Sequence, residues 1–165
     1  MTQGFTLSFN DYPFEAYFHD YSISESTKSK LDNTEVLVLP SRSPYEDSKY
    51  YFAQEAVNFI KFCRAENIGL NIDILADENK IEIRSLHSFD IWMPIIWVSY
   101  NVNLPLVIGL VANYITDKIK GREKTNHIVK VSFIINDGDK TKQLNYEGDA
   151  KTFKETFEKI DINKL

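Results

Sequence analysis

Cysteine is almost missing from this sequence. Cys63 is the single one in 165 residues, so no internal disulfide framework can form, and the chain suits a reducing, cytoplasmic compartment. Basic residues are also short. Nineteen Lys and Arg stand against 24 Asp and Glu, for a formal net charge of −5, whereas a nucleic-acid surface needs an excess of cations to neutralise phosphates. The one basic stretch, 118–130, follows Asp117 and is diluted by Glu123. No Gly-rich loop is present to cradle a nucleotide, and no His or Cys spacing matches a metal site, so neither cofactor nor metal is expected. His19, His87 and His127 fall in three separate segments. The opening residues, MTQGFTLSFNDY, have neither a basic region nor a continuous apolar run, so no signal peptide is expected. No internal repeat is visible.

Charge is missing altogether between Asp90 and Asp117. That length raises the possibility of a membrane span of about 20 apolar residues. Pro94, Pro105 and the polar cluster Ser99, Asn101 and Asn103 argue instead for two elements. The reading is a buried strand over 95–100, then a turn, then a helix from near Leu104 with Pro105 in its first turn. On that helix Gly109, Asn113, Thr116 and Lys120 fall on one narrow stripe, while Val107, Ile108, Leu110, Val111, Ala112, Tyr114, Ile115 and Ile119 fill the remaining arc. A helix packed on a sheet and on a second element has this distribution.

What is present suits one domain over 1–165. Hydrophobic residues make up 43% and aromatics 13%, enough for a sizeable core at this length. Phe5, Leu7 and Phe9, then Phe14, Ala16 and Phe18, alternate about the turn residues 10–13, predicting an N-terminal hairpin. Residues 22–33 are polar without periodicity and read as a surface loop. The apolar run 35–39 predicts a central strand. A helix is expected from about Lys49 to Glu66, with Phe52, Ala56, Phe59, Ile60 and Cys63 on its core face. Tyr51 and Phe62 project away from that face, among Gln54, Glu55 and Asn58, and are either covered by the N-terminal hairpin or anchors for a partner. Alternation in 70–74 and 81–84 predicts an antiparallel hairpin about 76–79, in which Asp73 and Glu82 face each other. Strands over 129–135 and 143–146 joined near Asp137–Gly138, then a helix capped by Asp149 with Ala150, Phe153, Phe157 and Ile160 on one stripe, close the chain. The fold class is α/β, with α+β as the variant: a mixed sheet with two βα crossover helices and a C-terminal ββα module.

Candidate chemistry follows from that order. If the strands at 35–39 and 95–100 are parallel neighbours, the loops after them share one sheet edge, where open α/β sheets bind ligands. Arg42, Tyr45, Asn101 and Asn103 are then the ligand-binding candidates, with Ser41 and Ser43 beside the guanidinium to hold a phosphate or carboxylate. The same residues are also ordinary turn formers. Cys63, on an apolar helix face, is expected to behave as a small hydrophobe and not as a nucleophile.

The segments YYFAQEA, LPLVIGLVANYITDKIKG and LNYEGDAKTF resemble small bacterial proteins of anti-phage defence and other biological-conflict gene clusters. The resemblance implies an accessory component beside a dedicated effector or sensor, and it assigns no residue a role. The expected function is therefore a non-catalytic interaction subunit that docks a larger partner or a second copy of itself. Two alternatives remain: a small-ligand domain or small enzyme using the sheet-edge residues, and a membrane-contacting effector using 92–115.

Overall fold

The computed structural model describes residues 4–10, 24–31, 34–42, 50–67, 69–75, 83–84, 90–99, 102, 104–121, 127–137 and 140–158. Apolar strands set the frame. Strands β1 (Gly4–Asn10), β2 (Val36–Leu39), β5 (Ile72–Ile74), β7 (Ile91–Val98), β8 (Ile128–Asp137) and β9 (Lys140–Asp149) form a six-stranded sheet in the order β1-β9-β8-β7-β2-β5. The pairs β2/β5 and β7/β8 are parallel, and β1/β9, β8/β9 and β2/β7 are antiparallel. A smaller sheet has the order β3-β4-β6, from β3 (Ser41–Arg42), β4 (Tyr50–Ala53) and β6 (Ile83–Arg84). Each parallel pair needs a crossover. Helix α2 (Ala56–Glu66) lies on the connection from β2 to β5, and α3 (Leu104–Ile119) on that from β7 to β8. The antiparallel pair β8/β9 leads into α4 (Phe153–Glu158). The fold is α/β, a mixed sheet with two crossover helices and a closing ββα module, as the order of patterns implied.

The uncharged stretch divides into a strand and a helix, but the expected strand over 95–100 is corrected: it runs Ile91–Val98, through Pro94 and not after it, because a bulge accommodates the proline. The stretch gives β7 and then α3, whose buried residues are Leu104, Val107, Ile108, Leu110, Val111, Ala112, Tyr114, Ile115 and Ile119, while Asn113, Thr116 and Lys120 are exposed. Among the described residues no helix is long and apolar enough to cross a membrane. Pro94 also sets the faces of β7. Trp92 pairs with Lys130 and Ile95 with Ser132, so Met93 and Pro94 together oppose Val131. A bulge is where a residue without an N–H costs the ladder least. It also shifts the alternation by one residue: Ile91, Met93, Ile96 and Val98 join the helix-side core, and Ile95 and Trp97 join the opposite face with Leu37, Leu39, Leu75 and Ile134. Both faces of this half of the sheet are therefore buried.

Three further expectations are corrected. Residues 50–53 are strand, and α2 begins only at Ala56: apolar residues four apart suit a helix, but Tyr50–Ala53 gains ladder bonds on both sides, from β3 and β6. The 70–84 segment is no hairpin, because β5 pairs in parallel with β2 and β6 with β4. Glu82 and the turn 76–79 lie outside the described residues. Within the supposed loop 22–33, Glu25–Leu31 forms a short polar helix, α1. Its start is set by Ser24, whose Oγ accepts the Thr27 N–H at 3.3 Å, a capping signal that hydrophobic periodicity does not register. The N-terminal strand β1 pairs antiparallel with β9, and the second arm of the expected hairpin lies outside the described residues. Asp149 ends β9 and its Oδ1 accepts the Lys151 N–H at 2.8 Å, in the turn before α4. Phe153 of that helix is fully buried and packs edge-on to Tyr146 at 4.8 Å.

Candidate functional site

Strand direction decides the fate of the expected ligand edge. β2 and β7 are neighbours, but antiparallel: Val36 pairs with Val98 and Leu39 with Ile95. The segment after β7 therefore leaves beside the start of β2, where the Ser99 N–H donates to the Glu35 carbonyl at 3.0 Å. The segment after β2 leaves at the other end. Arg42 continues into β3, in register with Tyr50. The premise of a shared edge is corrected, since alternation fixes which face a residue takes but not which way its strand runs. Tyr45, Asn101 and Asn103 lie outside the described residues.

Titratable groups converge elsewhere, between α2 and α3. Glu55, the residue before α2, is 2% exposed. It makes no side-chain cap bond to its own helix. Its Oε1 instead accepts the Tyr114 hydroxyl at 2.6 Å and lies 3.0 Å from Lys118 Nζ. Tyr114 and Lys118 are four apart on α3, so one helix face delivers both donors. The Glu55 N–H donates to the Trp92 carbonyl at 3.4 Å, beside the bulge of β7. Three elements are thus tied at one residue, and a buried carboxylate is tolerated because an ammonium and a phenol both answer it.

The arrangement brakes acid–base chemistry. Burial, then donation to Glu55, then the charges of Glu55, Asp117 and Cys63 hold the Tyr114 phenol well above its ordinary range. A phenol so held is a donor and not a base. Cys63, on the same helix pair, is 2% exposed; burial, with Glu66 adding to it, pushes its thiol up from 9.0 to about 12. A nucleophilic cysteine needs the reverse shift. Among the described residues no three His, Cys, Asp or Glu are grouped to hold a metal ion. Glu55, Tyr114 and Lys118 are the convergence that sequence reasoning missed. One signal was available: a tyrosine on the apolar arc of α3 needs a partner for its hydroxyl.

The two aromatics singled out as partner anchors are both half-buried. The Tyr51 ring lies 5.6 Å from that of Trp92, and Phe62 packs edge-on to Tyr114 at 5.4 Å and against the main core. Neighbours within the sheet and α3 supply these contacts.

An interaction feature appears at the sheet margin instead. β1, GFTLSFN, is an outer strand paired along all seven residues with β9, and among the described residues no strand pairs with its other side. Its register puts Phe5 and Leu7 opposite Tyr146 and Leu144, which belong to the helix-side core, and Thr6 and Ser8 opposite Asn145 and Gln143. The polar side is organised: Ser132 Oγ donates to Asn145 Oδ1 at 2.6 Å, and Gln143 Nε2 donates to the same oxygen at 3.1 Å. Comparison with protein-family models, with curated proteins and with solved structures finds no match for this chain.

Proposed function

We propose that this chain is a non-catalytic interaction subunit that works by lending the β1 margin of its sheet to another polypeptide strand. The observation that supports the reading is β1 itself: seven residues of outer strand with no charged residue and no proline. Sheets that must stay alone place charge, proline or a bulge on such a strand, because its unpaired amides and carbonyls otherwise template a further strand. Added to this, the buried carboxylate between the crossover helices is occupied by Tyr114 and Lys118, and the single thiol is held protonated. Both are employed in holding the fold. The sequence resemblance to accessory proteins of bacterial anti-phage defence supports a place beside an effector or sensor in such a system. The antiparallel order of β2 and β7 removes the shared edge on which the ligand-binding alternative relied.

The test is association measured on the purified chain, with itself and with the products of adjacent genes. A Ser8→Pro variant is compared with the parent, and circular dichroism checks that it remains folded. The reading expects association that Ser8→Pro abolishes. It fails if the parent associates with none of them, or if the folded variant associates as tightly as the parent.

A further inference from the structure

We infer that the strand received by β1 is the β1 of a second copy, paired antiparallel about a two-fold axis through Leu7. The inference rests on the reading of β1 as the docking margin and adds the identity of the partner. Directly opposed residues in an antiparallel pair point to the same face of the sheet. Centring on Leu7 opposes Leu7 to itself, Phe5 to Phe9, Thr6 to Ser8 and Gly4 to Asn10. Apolar Phe5, Leu7 and Phe9 meet apolar residues, polar Thr6 meets Ser8, Asn10 meets Gly4, which has no side chain, and all seven residues of the strand are used. A centre between two residues would oppose Thr6 to Leu7 and mix the faces, while a centre on Thr6 or Ser8 would leave ladder unused at both ends.

The neighbouring elements agree with this register. Phe5 and Leu7 continue the row of Tyr146 and Leu144, so the core face of one sheet runs into that of the other. Helix α4 packs beside β1 and β9, and the two-fold axis places both α4 helices on one side of the joined sheet. No charge on β1 opposes the pairing, although the chain as a whole carries a formal charge of −5. A two-fold strand pair uses the same patch on both subunits and closes at two, so no open chain of copies forms.

The experiment uses the full chain with introduced cysteines, which is clean because the native Cys63 is buried and its thiol raised to about 12. Mild oxidation of Leu7→Cys is expected to give a covalent dimer. A mixture of Thr6→Cys with Ser8→Cys is expected to cross-link several-fold more than either alone. Light scattering on the parent is expected to give twice 19.2 kDa, and a folded Ser8→Pro variant a single-chain mass. A single-chain mass for the parent at every concentration overturns the inference, as does a dimer that cross-links equally at 6, 7 and 8. If the parent is monomeric and yet binds an adjacent gene product in a Ser8→Pro-sensitive way, the second copy is wrong and the docking margin stands. If nothing responds to Ser8→Pro, both fall.

Discussion

At one margin of the six-stranded sheet lies β5, three residues long; at the other lies β1, with seven. The short margin is defended by charge. Arg64 of α2 donates from Nη2 to the Ile72 carbonyl at 3.3 Å and lies 3.6 Å from Asp73 Oδ1, and the same carboxylate oxygen accepts the Ile74 N–H at 2.8 Å. This surface pair, with side chains 61% and 44% exposed, contributes little stability. Its place on the Ile72 carbonyl is what matters, because a guanidinium there denies that acceptor to another strand. At the long margin β1 itself, GFTLSFN, contains no charged residue. The difference teaches where the proposed association is to be sought: at the margin whose strand carries no charge, and not at the one where an ion pair sits on the backbone.

The largest effect should come from removing the support under β1. Leu144, 1% exposed and in register with Leu7, belongs to the main core, and Leu144→Ala should cost about 2–5 kcal/mol, read from urea unfolding. Association should fall with it, since the template strand rests on that residue. Next is an interior effect that should leave the margin intact. The folded state holds the Cys63 proton to about 12 against 9.0 when free, and it also holds the Tyr114 phenol protonated. A raised folded value gives stability that is complete below the unfolded value and lost as pH rises through the folded one. Thermal stability should therefore be flat on raising the pH to about 9 and decline above it, and Tyr114→Phe should shallow that decline.

A smaller loss is expected at the Glu55 tie. Breaking a fully buried pair costs about 3–5 kcal/mol. Lys118 is 37% exposed, so water answers part of the charge and Lys118→Met should cost only about 1–2 kcal/mol. Adding Glu55→Gln to that variant should recover part of the loss, as a double-mutant cycle would reveal. The smallest stability change, below about 0.5 kcal/mol, belongs to Arg64→Ala. Its use is to sharpen the comparison: with the guanidinium gone, β5 should begin to associate, and light scattering should detect species larger than the parent forms.

Much of the frame was legible in the residues. Pro105 and the stripe through Asn113 and Thr116 were enough to place α3, because proline and periodicity act locally; Pro94 misled, since it lies at a bulge inside β7 and does not bound the strand. The alternation around 137–140 likewise announced β8 and β9. Strand direction was not legible: Val36–Leu39 and Ile91–Val98 are continuous apolar runs whose composition is the same read either way, and their antiparallel pairing depends on the path of the chain between them. Tyr50–Ala53 was misread as helix because its ladder partners, β3 and β6, are remote or only two residues long. That error displaced the helix start and placed Glu55 on a polar face, when it is the buried residue to which Tyr114 and Lys118 are tied. The tie at Glu55 was hidden because burial of a carboxylate is decided by its partners, 59 residues away along the chain in the case of Tyr114.

Amide hydrogen exchange of the parent chain over a series of protein concentrations tests the contrast between the two margins most directly, since it reads both strands in one sample. Pairing of β1 with a second copy predicts that the outward amides of 4–10 exchange more slowly as concentration rises, while those of 72–74 do not change. Exchange at 4–10 that is independent of concentration, or slowing that appears at 72–74 instead, would contradict the account.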